Sequence, residues 1–180
     1  VNRDDMDDGG ALHYKKCIDK VHEICPKVGI EFLCSDLSGN VNALEFLLDH
    51  SPLTVFAHNV ETVRRLTPRV RDPRATFDQS LLILKKAKDF SPDIITKTSI
   101  MLGLGETEED LLSAFRELRD AKVDLLTLGQ YLSPGPRYHP VVSFPSPETF
   151  DSLAQIANEM GFKAIASGPM VRSSYRAESL

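Results

Sequence analysis

The sequence predicts an α/β fold in which parallel strands alternate with helices. Short apolar runs typical of buried strands recur along the chain, and a segment with helical periodicity separates each run from the next. Polar or glycine-rich residues directly follow these runs. Because consecutive strand–helix units build parallel sheets through right-handed crossovers, these polar groups should meet at one edge of the sheet, where such folds build their sites.

The first half of the chain alternates as follows. After a turn at residues 7–10, apolar residues at helical spacing predict a helix over 11–24. Residues 30–34 predict a strand ending at polar residues, and a helix over 41–48 follows. A second strand is predicted over 54–57. An apolar stripe that includes Leu81 and Leu84 then predicts a helix over 77–90.

The second half repeats the pattern. Residues 94–102 predict a third strand, and Thr107 with Asp110 forms the capping-box pattern that begins a helix over 108–121. A strand over 125–128 leads into a proline-rich loop at 133–147. A helix over 148–160 and a final strand over 163–166 complete the predicted elements.

The number of strands narrows the fold class. Both an open doubly wound sheet and a (β/α) barrel satisfy the alternation, but these strands are too few to close an eight-stranded barrel. We therefore expect a partial (β/α) barrel whose amino-terminal strands are missing. Residues 1–5, which resemble the end of a strand, agree with this expectation.

Composition bounds the class of protein. The chain has 180 residues, of which 42% are hydrophobic and 26% charged, so we expect one globular domain with a real core. A net charge of -5 without a long basic run argues against nucleic-acid binding, and no apolar run approaches the length of a membrane span. Cys17, Cys25 and Cys34 fit neither a disulfide framework nor a compact metal motif. They favour a reducing compartment, and we interpret them as buried thiols.

The candidate site residues after the second and third strands allow several interpretations. His58, Asn59 and Glu61 could form a general acid–base pair or a hydrogen-bonded loop anchor. Gly103 and Gly105 could cradle a phosphate before a helix or form a tight turn. Neither a third glycine nor a P-loop lysine follows, so this loop is not a nucleotide-binding fingerprint.

The remaining polar clusters are less specific. Gln130 could bind a ligand or cap its strand, and the acidic residues at 4–8 could bind a hard cation or form a solvated turn. Three arginines could dock an acidic partner or belong to a solvated face: Arg69, Arg71 and Arg74. Near the carboxyl end, Arg172 could hold an anion and Ser174 could ligate a metal, unless the segment is a solvated tail.

A family resemblance bears on these alternatives. Residues 172–175, Arg-Ser-Ser-Tyr, resemble the carboxyl-terminal motif of lipoyl synthases, radical S-adenosylmethionine (SAM) enzymes that insert sulfur. Residues 3–10, 58–62, 100–107 and 129–132 also resemble stretches of that family, in the same order. The resemblance covers nearly the whole chain. At Arg176, however, many members have histidine.

The resemblance implies a fold and a set of site residues. Residues 1–162 would be a partial barrel of the radical SAM type, and residues 163–180 a carboxyl-terminal extension. Ser174 would be an oxygen ligand of an auxiliary [4Fe–4S] cluster, and Arg172 would contact substrate. The residues implied to bind SAM are His58, Asn59, Glu61, Gly103, Gly105, Glu106 and Gln130. No catalytic residue is expected within this chain.

The family's two cysteine triplets, Cys-x4-Cys-x5-Cys and Cys-x3-Cys-x2-Cys, are absent from the sequence. We therefore expect the chain to be the carboxyl-terminal portion of such an enzyme and to be inactive alone. In the intact family, one cluster cleaves SAM to a 5′-deoxyadenosyl radical, and the auxiliary cluster gives sulfur to two carbons of an octanoyl group.

The resemblance also implies partners and a location. The octanoyl group would be carried by lipoyl domains of 2-oxoacid dehydrogenase E2 subunits or by the glycine cleavage H protein, and ferredoxin or flavodoxin would supply electrons. A bacterial cytoplasm is the first expectation, with a mitochondrion or plastid as alternatives. Two other functions remain open: a biotin-synthase-like sulfur-inserting enzyme, and a non-catalytic partial barrel that binds a nucleotide or partner.

Overall fold

Five parallel strands form a single sheet in the computed structural model, which describes Arg3 and residues 5–174. The strands are β1 (Glu31–Leu33), β2 (Val55–Ala57), β3 (Ile95–Leu102), β4 (Leu125–Gln130) and β5 (Ala164–Ser167). The helices are α1 (Ala11–Ile24), α2 (Val41–Leu48), α3 (Thr67–Val70), α4 (Phe77–Phe90), α5 (Glu108–Asp120) and α6 (Pro147–Glu159), and a 3₁₀ turn spans Leu37–Gly39.

The order of the strands distinguishes the two folds that the alternation allows. Each strand pairs in parallel with the next strand in the chain, so the order is β1-β2-β3-β4-β5 without a reversal. A doubly wound sheet reverses its order at a switch point, whereas right-handed crossovers in one direction keep all helices on one face. The described sheet is therefore an open, barrel-like sheet, and the prediction of a partial barrel is confirmed.

The core lies between the sheet and its helices. One apolar cluster joins β3 and β4 to α4, α5 and α6, and a second joins β2 to α1, α2 and α4. Side chains alternate along a strand, so the neighbours of the helix-facing residues point to the opposite, concave face. Buried helix-facing residues of the strands include Phe56, Ile100, Leu102, Leu126 and Leu128. The concave face carries an ion pair instead, between Lys97 and Glu31.

Local hydrogen bonds fix where the helices begin. The side chain of Thr107 accepts from the backbone N–H of Asp110, and the carboxylate of Asp110 accepts from the N–H of Thr107, which confirms the predicted capping box. Asn40, Thr76 and Ser146 cap α2, α4 and α6 through their side-chain oxygens. The sequence did not predict α3, a single turn too short for a periodic pattern.

The carboxyl-terminal part continues the sheet. Residues 164–167 lie beyond the expected domain boundary at 162, yet they form β5 and pair with β4; the boundary itself stays a prediction. The expected motif residues Arg172, Ser173 and Ser174 are described, whereas Tyr175 lies outside the described residues. None of the helices in the described ranges combines the length and apolar character that crossing a bilayer requires.

The interpretation of the cysteines as buried thiols is wrong for two of them. Cys34 is buried after β1, but Cys17 and Cys25 are exposed. Cys17 precedes buried Ile18 on α1 and so faces outward, and Cys25 lies in the turn that ends that helix. Burial raises the pKa of the Cys34 thiol to about 12, which makes it unreactive near neutral pH.

Candidate active site

A cavity of about 440 Å³ opens where β1 and β2 end. The residues after β1 contribute Asp36, those after β2 contribute His58, Asn59 and Glu61, and the segment between α3 and α4 contributes Arg71. The carboxyl ends of parallel strands are where α/β folds bind ligands. The structure therefore brings the predicted residues 58, 59 and 61 to one cavity and adds two arginines, at positions 71 and 74, to them.

Glu61 is held in an uncommon backbone conformation at the edge of this cavity. Its φ is +65°, in the left-handed region that non-glycine residues rarely adopt. Its N–H donates to the carbonyl of Ser99 at 3.0 Å, and its carbonyl accepts from the N–H of Met101 at 2.8 Å, so β3 fixes it. Burial raises the pKa of its carboxyl, and this effect outweighs the hydrogen bond from Asn59 and the positive charge of Arg71, which both lower the pKa. Strained backbone held in this way is typical of functional sites.

Arg71 is a half-buried cation in the cavity wall. Its Nη1 donates to the Ser80 hydroxyl at 2.8 Å, and no ion pair joins it to a carboxylate in the described part of the chain. Burial lowers its pKa, while the charges of Glu61 and Asp36 act in the opposite direction. A desolvated guanidinium with free donors is suited to bind an anionic ligand.

His58 directs both ring nitrogens into the protein. It is 4% exposed, with Nδ1 3.0 Å from the Cys34 carbonyl and Nε2 2.9 Å from the Ser80 hydroxyl. Burial lowers the pKa of its imidazole, and the positive charge of Arg71 adds to that effect. The imidazole lines the cavity in its neutral form, and its hydrogen-bonding groups are engaged by protein atoms.

The glycine loop after β3 is closed by its own glutamate. The carboxylate of Glu106 accepts from the N–H groups of Gly103 at 2.6 Å and Leu104 at 2.9 Å. Gly103 has a φ of +98°, and a Cβ there would overlap the Gln130 side chain and the Ser143 carbonyl. A phosphate cradle needs such amides free. The geometry therefore favours the tight turn among the two interpretations of the loop.

Gln130 caps the ends of two strands. Its Nε2 lies 3.1 Å from the Leu102 carbonyl, 2.9 Å from that of Tyr131 and 3.2 Å from that of Ser143. By strand alternation it points to the helix-facing side of β4. Its Oε1 is the polar atom left for a ligand.

The residues after β5 turn back across β4. A Cβ on Gly129 would overlap the Val171 carbonyl and lie 3.6 Å from Arg172, so this segment passes over the concave face at that glycine. Arg172 donates from Nη1 to the Val171 carbonyl at 2.7 Å. Arg172 and Ser174 are exposed, and neither lines the cavity beside β1 and β2.

The expected cofactors can be tested against these side chains. Within Arg3 and residues 5–174, no group of three or more His, Cys, Asp or Glu side chains is arranged to hold a metal ion. The described residues therefore do not fit an iron–sulfur cluster by themselves. The cavity at Asn59, Glu61 and Arg71 does fit a small ligand that carries hydroxyls and a carboxylate, because it offers amide, carboxylate and guanidinium groups.

The sequence interpretation missed Arg71 as a site residue. The sequence groups it with Arg69 and Arg74 in a small basic patch that could dock an acidic partner or be solvated, and no spacing pattern distinguishes the three. The distinction arises in three dimensions: Arg71 and Arg74 both line the cavity, but Arg71, directly after α3, is half-buried there, whereas Arg74 is exposed and pairs with Asp72. The sequence signal for an inward-facing Arg71 is Ser80 of α4, which accepts its hydrogen bond. A lone serine in a helix is a weak signal.

Comparison with known proteins gives a consistent result. Residues 2–118 match the model of the Radical SAM superfamily. The chain is 54% identical to "Lipoyl synthase, apicoplast" of Toxoplasma gondii over 98% of its length, and that match covers 32% of the relative. It is 52% identical to the lipoyl synthase of Thermus thermophilus over 99% of its length, covering 55% of the relative. For "Lipoyl synthase, mitochondrial" of Bos taurus the identity is 51%, and 47% of the relative is covered. The chain thus spans about half or less of the length of these relatives.

Proposed function

The chain belongs to the radical SAM superfamily, and from this premise we propose that it forms the carboxyl-terminal part of a lipoyl synthase. Membership implies an iron–sulfur cluster and SAM as cofactors. The observation that carries the finer assignment is the identity of 51–54% to curated lipoyl synthases across nearly the whole chain. The proposed reaction is the insertion of two sulfur atoms into a protein-bound octanoyl group.

SAM on a reduced [4Fe–4S] cluster supplies the hydrogen-atom abstraction in such an enzyme. The residues of this chain would bind and orient that cofactor. We assign the cavity beside β1 and β2 to SAM, because its volume of about 440 Å³ lies within the range of ligand pockets. The carboxylate of Glu61 and the amide of Asn59 suit the ribose hydroxyls, and the guanidinium of Arg71 suits the carboxylate of the amino-acid part.

The other predicted SAM residues have supporting roles in this proposal. Gly103, Gly105 and Glu106 do not line the cavity but form a closed turn after the neighbouring strand β3, with the Gln130 side chain beside it. Arg65 anchors this turn by donating to the Gly105 carbonyl at 2.8 Å. A contact of the turn with adenine would use side-chain or carbonyl groups, since two of its amides are engaged by Glu106.

Ser174 is proposed as an oxygen ligand of a second, auxiliary cluster, and Arg172 as a group that contacts substrate. The cysteine ligands would come from the part of the relatives that this chain does not span. Ser174 is exposed, three residues after Val171, whose carbonyl lies against Gly129 of β4. Oxygen is also a poorer ligand for iron than thiolate, which suits a site whose sulfur is given up.

The proposed partners follow from the same assignment. Octanoylated lipoyl carrier domains, such as those of 2-oxoacid dehydrogenase E2 subunits or the glycine cleavage H protein, would be the substrates, and ferredoxin or flavodoxin the reductant. A bacterial cytoplasm is the proposed location, and the names of the relatives also include a mitochondrial and an apicoplast enzyme.

The test uses the intact enzyme that carries this chain, reconstituted with iron and sulfide. An octanoyl-lysine carrier, SAM and a reductant are supplied, and mass spectrometry follows both 5′-deoxyadenosine and the lipoyl product. We expect both products from the wild type, and loss of the lipoyl product alone from Ser174→Ala. The neighbouring Ser173→Ala is the matched control. Formation of 5′-deoxyadenosine without any sulfur insertion by the wild type would rule the assignment out.

A further inference from the structure

We propose that Ser80 and His58 are positioning residues that orient the guanidinium of Arg71 toward the carboxylate of the bound cofactor. The inference rests on the assignment of the cavity to SAM, and it concerns how this chain prepares that cavity. Three contacts carry it. Arg71 Nη1 lies 2.8 Å from Ser80 Oγ, Ser80 Oγ lies 2.9 Å from His58 Nε2, and His58 Nδ1 lies 3.0 Å from the carbonyl of Cys34.

The direction of each hydrogen bond in this relay is determined by chemistry. A carbonyl can only accept, so Nδ1 of His58 carries the proton and donates to Cys34. In a neutral imidazole Nε2 must then accept, and the Ser80 hydroxyl is its donor. The guanidinium can only donate, so Ser80 Oγ accepts from Arg71. All three hydrogen bonds are therefore compatible with one tautomer of His58. Together they connect the cavity to the backbone after β1.

Burial makes this arrangement costly to disrupt. Ser80 is 0% exposed and His58 is 4% exposed, so water cannot replace a missing partner. Ser80 lies in the first turn of α4, where a serine often bonds back to its own helix. Its hydroxyl instead joins two residues distant in sequence. A buried hydroxyl used in this way indicates a tertiary role rather than a local one.

The neutrality of the relay explains why it suits a binding arginine. A carboxylate partner would hold Arg71 equally well, but it would also cancel the charge that attracts an anionic ligand. Serine and neutral histidine fix the orientation of the guanidinium and leave its full charge available. The carboxylates of Glu61 and Asp36 act on it only at longer range, without an ion pair in the described part of the chain. A preorganised charge of this kind contributes to binding because its side chain loses less conformational entropy when the ligand binds.

The test measures binding of two ligands to the reconstituted holoenzyme by calorimetry or equilibrium dialysis. The first is S-adenosylhomocysteine, and the second is its analogue without the carboxylate. We expect Ser80→Ala to weaken the first by about tenfold, on the scale of one hydrogen bond to a charged group, and the second by less than about twofold. A role limited to stability would weaken both ligands by the same factor.

Two further variants guard against a folding defect. Ser80→Cys fills the space of the hydroxyl with a somewhat larger thiol, which is only a weak donor and acceptor, so it should show the same selective loss. Thr67→Val is the matched control, because Thr67 also has a buried hydroxyl, which donates at 3.1 Å to the Val63 carbonyl and takes no part in the relay; the Thr67 carbonyl that accepts from the N–H of Arg71 is retained in the variant. Its affinities for both ligands should match those of the wild type.

The outcomes separate this inference from the proposed function. If the wild type binds S-adenosylhomocysteine but the serine variants change both affinities equally or not at all, the relay is refuted and the cavity assignment stands. If the wild type binds neither ligand, both are refuted. A loss confined to the ligand with the carboxylate supports both.

Discussion

The carbonyl of Val171 packs directly against the Cα of Gly129, so closely that a side chain at position 129 would overlap it. This contact brings the segment after β5 back over the concave face of β4 near the carboxyl end of the strand, the end at which barrel enzymes build their sites. Gly129 pairs with Met101 inside the sheet and so cannot move aside easily. The glycine therefore determines where Arg172 and Ser174 can lie relative to the sheet.

Replacement of Gly129 by alanine should displace residues 168–174. We expect a loss of about 1–3 kcal/mol in the free energy of unfolding of the intact enzyme, on the scale of an overpacked core. Lipoyl formation should fall more than 5′-deoxyadenosine formation, because the displaced segment carries Ser174. Denaturant unfolding and product analysis measure the two effects.

Gly135→Ala is the control for this substitution. Its Cβ would meet no atom within 4 Å, and its backbone is not in the left-handed region. It should leave both measurements within error of the wild type. Equal behaviour of the two alanine variants would show that the contact at Gly129 does not place the carboxyl-terminal segment.

Replacement of Glu106 by glutamine should loosen the turn after β3. The neutral amide has one acceptor oxygen where the carboxylate has two, and one of the N–H groups of Gly103 and Leu104 would lose its partner. We expect a cost of about 1–3 kcal/mol and faster amide hydrogen exchange at these two residues. Glu108→Gln, in the first turn of α5, is the control and should leave exchange at the turn unchanged.

The ion pair on the concave face should respond asymmetrically to mutation. The side chain of Lys97 is 1% exposed and that of Glu31 is 21% exposed, with Nζ and Oε2 2.9 Å apart. Glu31→Gln leaves a buried ammonium without a counterion and should cost about 3–5 kcal/mol. Lys97→Met leaves a carboxylate that water can reach, so its cost should be clearly smaller. Denaturant unfolding of both variants checks the order, and equal costs would contradict it.

Local chemistry made much of the fold predictable. Helices α1, α2 and α4 span the predicted ranges because apolar periodicity acts within a few residues, and in α2 and α4 the side-chain caps Asn40 and Thr76 add to it. The carboxyl ends of β1 and β2 meet at one cavity, as polar residues after parallel strands implied. These features depend on neighbours in the sequence or on a general rule of parallel sheets.

The parts that escaped prediction depend on contacts between distant segments. Arg71 faces inward because Ser80 receives it, and the Gly103 turn closes because Glu106 folds back onto it. The sequence leaves open whether Gln130 caps its strand or binds a ligand, because the side of β4 on which it lies, beside the Leu102 carbonyl, is set by the register of the strand and not by the motif. No single-sequence pattern reports which of two polar groups will become partners.

Protonation of His58 should make stability depend on pH in a definite window. Burial depresses the pKa of the folded imidazole, so below about pH 6.5 the unfolded state binds a proton that the folded state does not. Stability should therefore fall as the pH drops from about 6.5 toward the folded pKa, by up to about 1.4 kcal/mol per pH unit. Glu61 contributes to the pH dependence of stability with the opposite sign. Because its pKa is raised in the folded state, the folded protein binds this proton at a higher pH than the unfolded chain does, and protonation of Glu61 adds stability as the pH falls.

The difference between the wild type and His58→Gln isolates this effect. His13, His22, His50 and His139 remain in both proteins, so their contributions cancel to the extent that they act independently. Denaturant unfolding between pH 7.5 and about 5.5 should show a falling stability for the wild type and a flatter profile for the variant. Parallel profiles would mean that His58 takes up a proton in the folded protein as readily as in the unfolded chain, and the neutral relay to Ser80 would then be wrong.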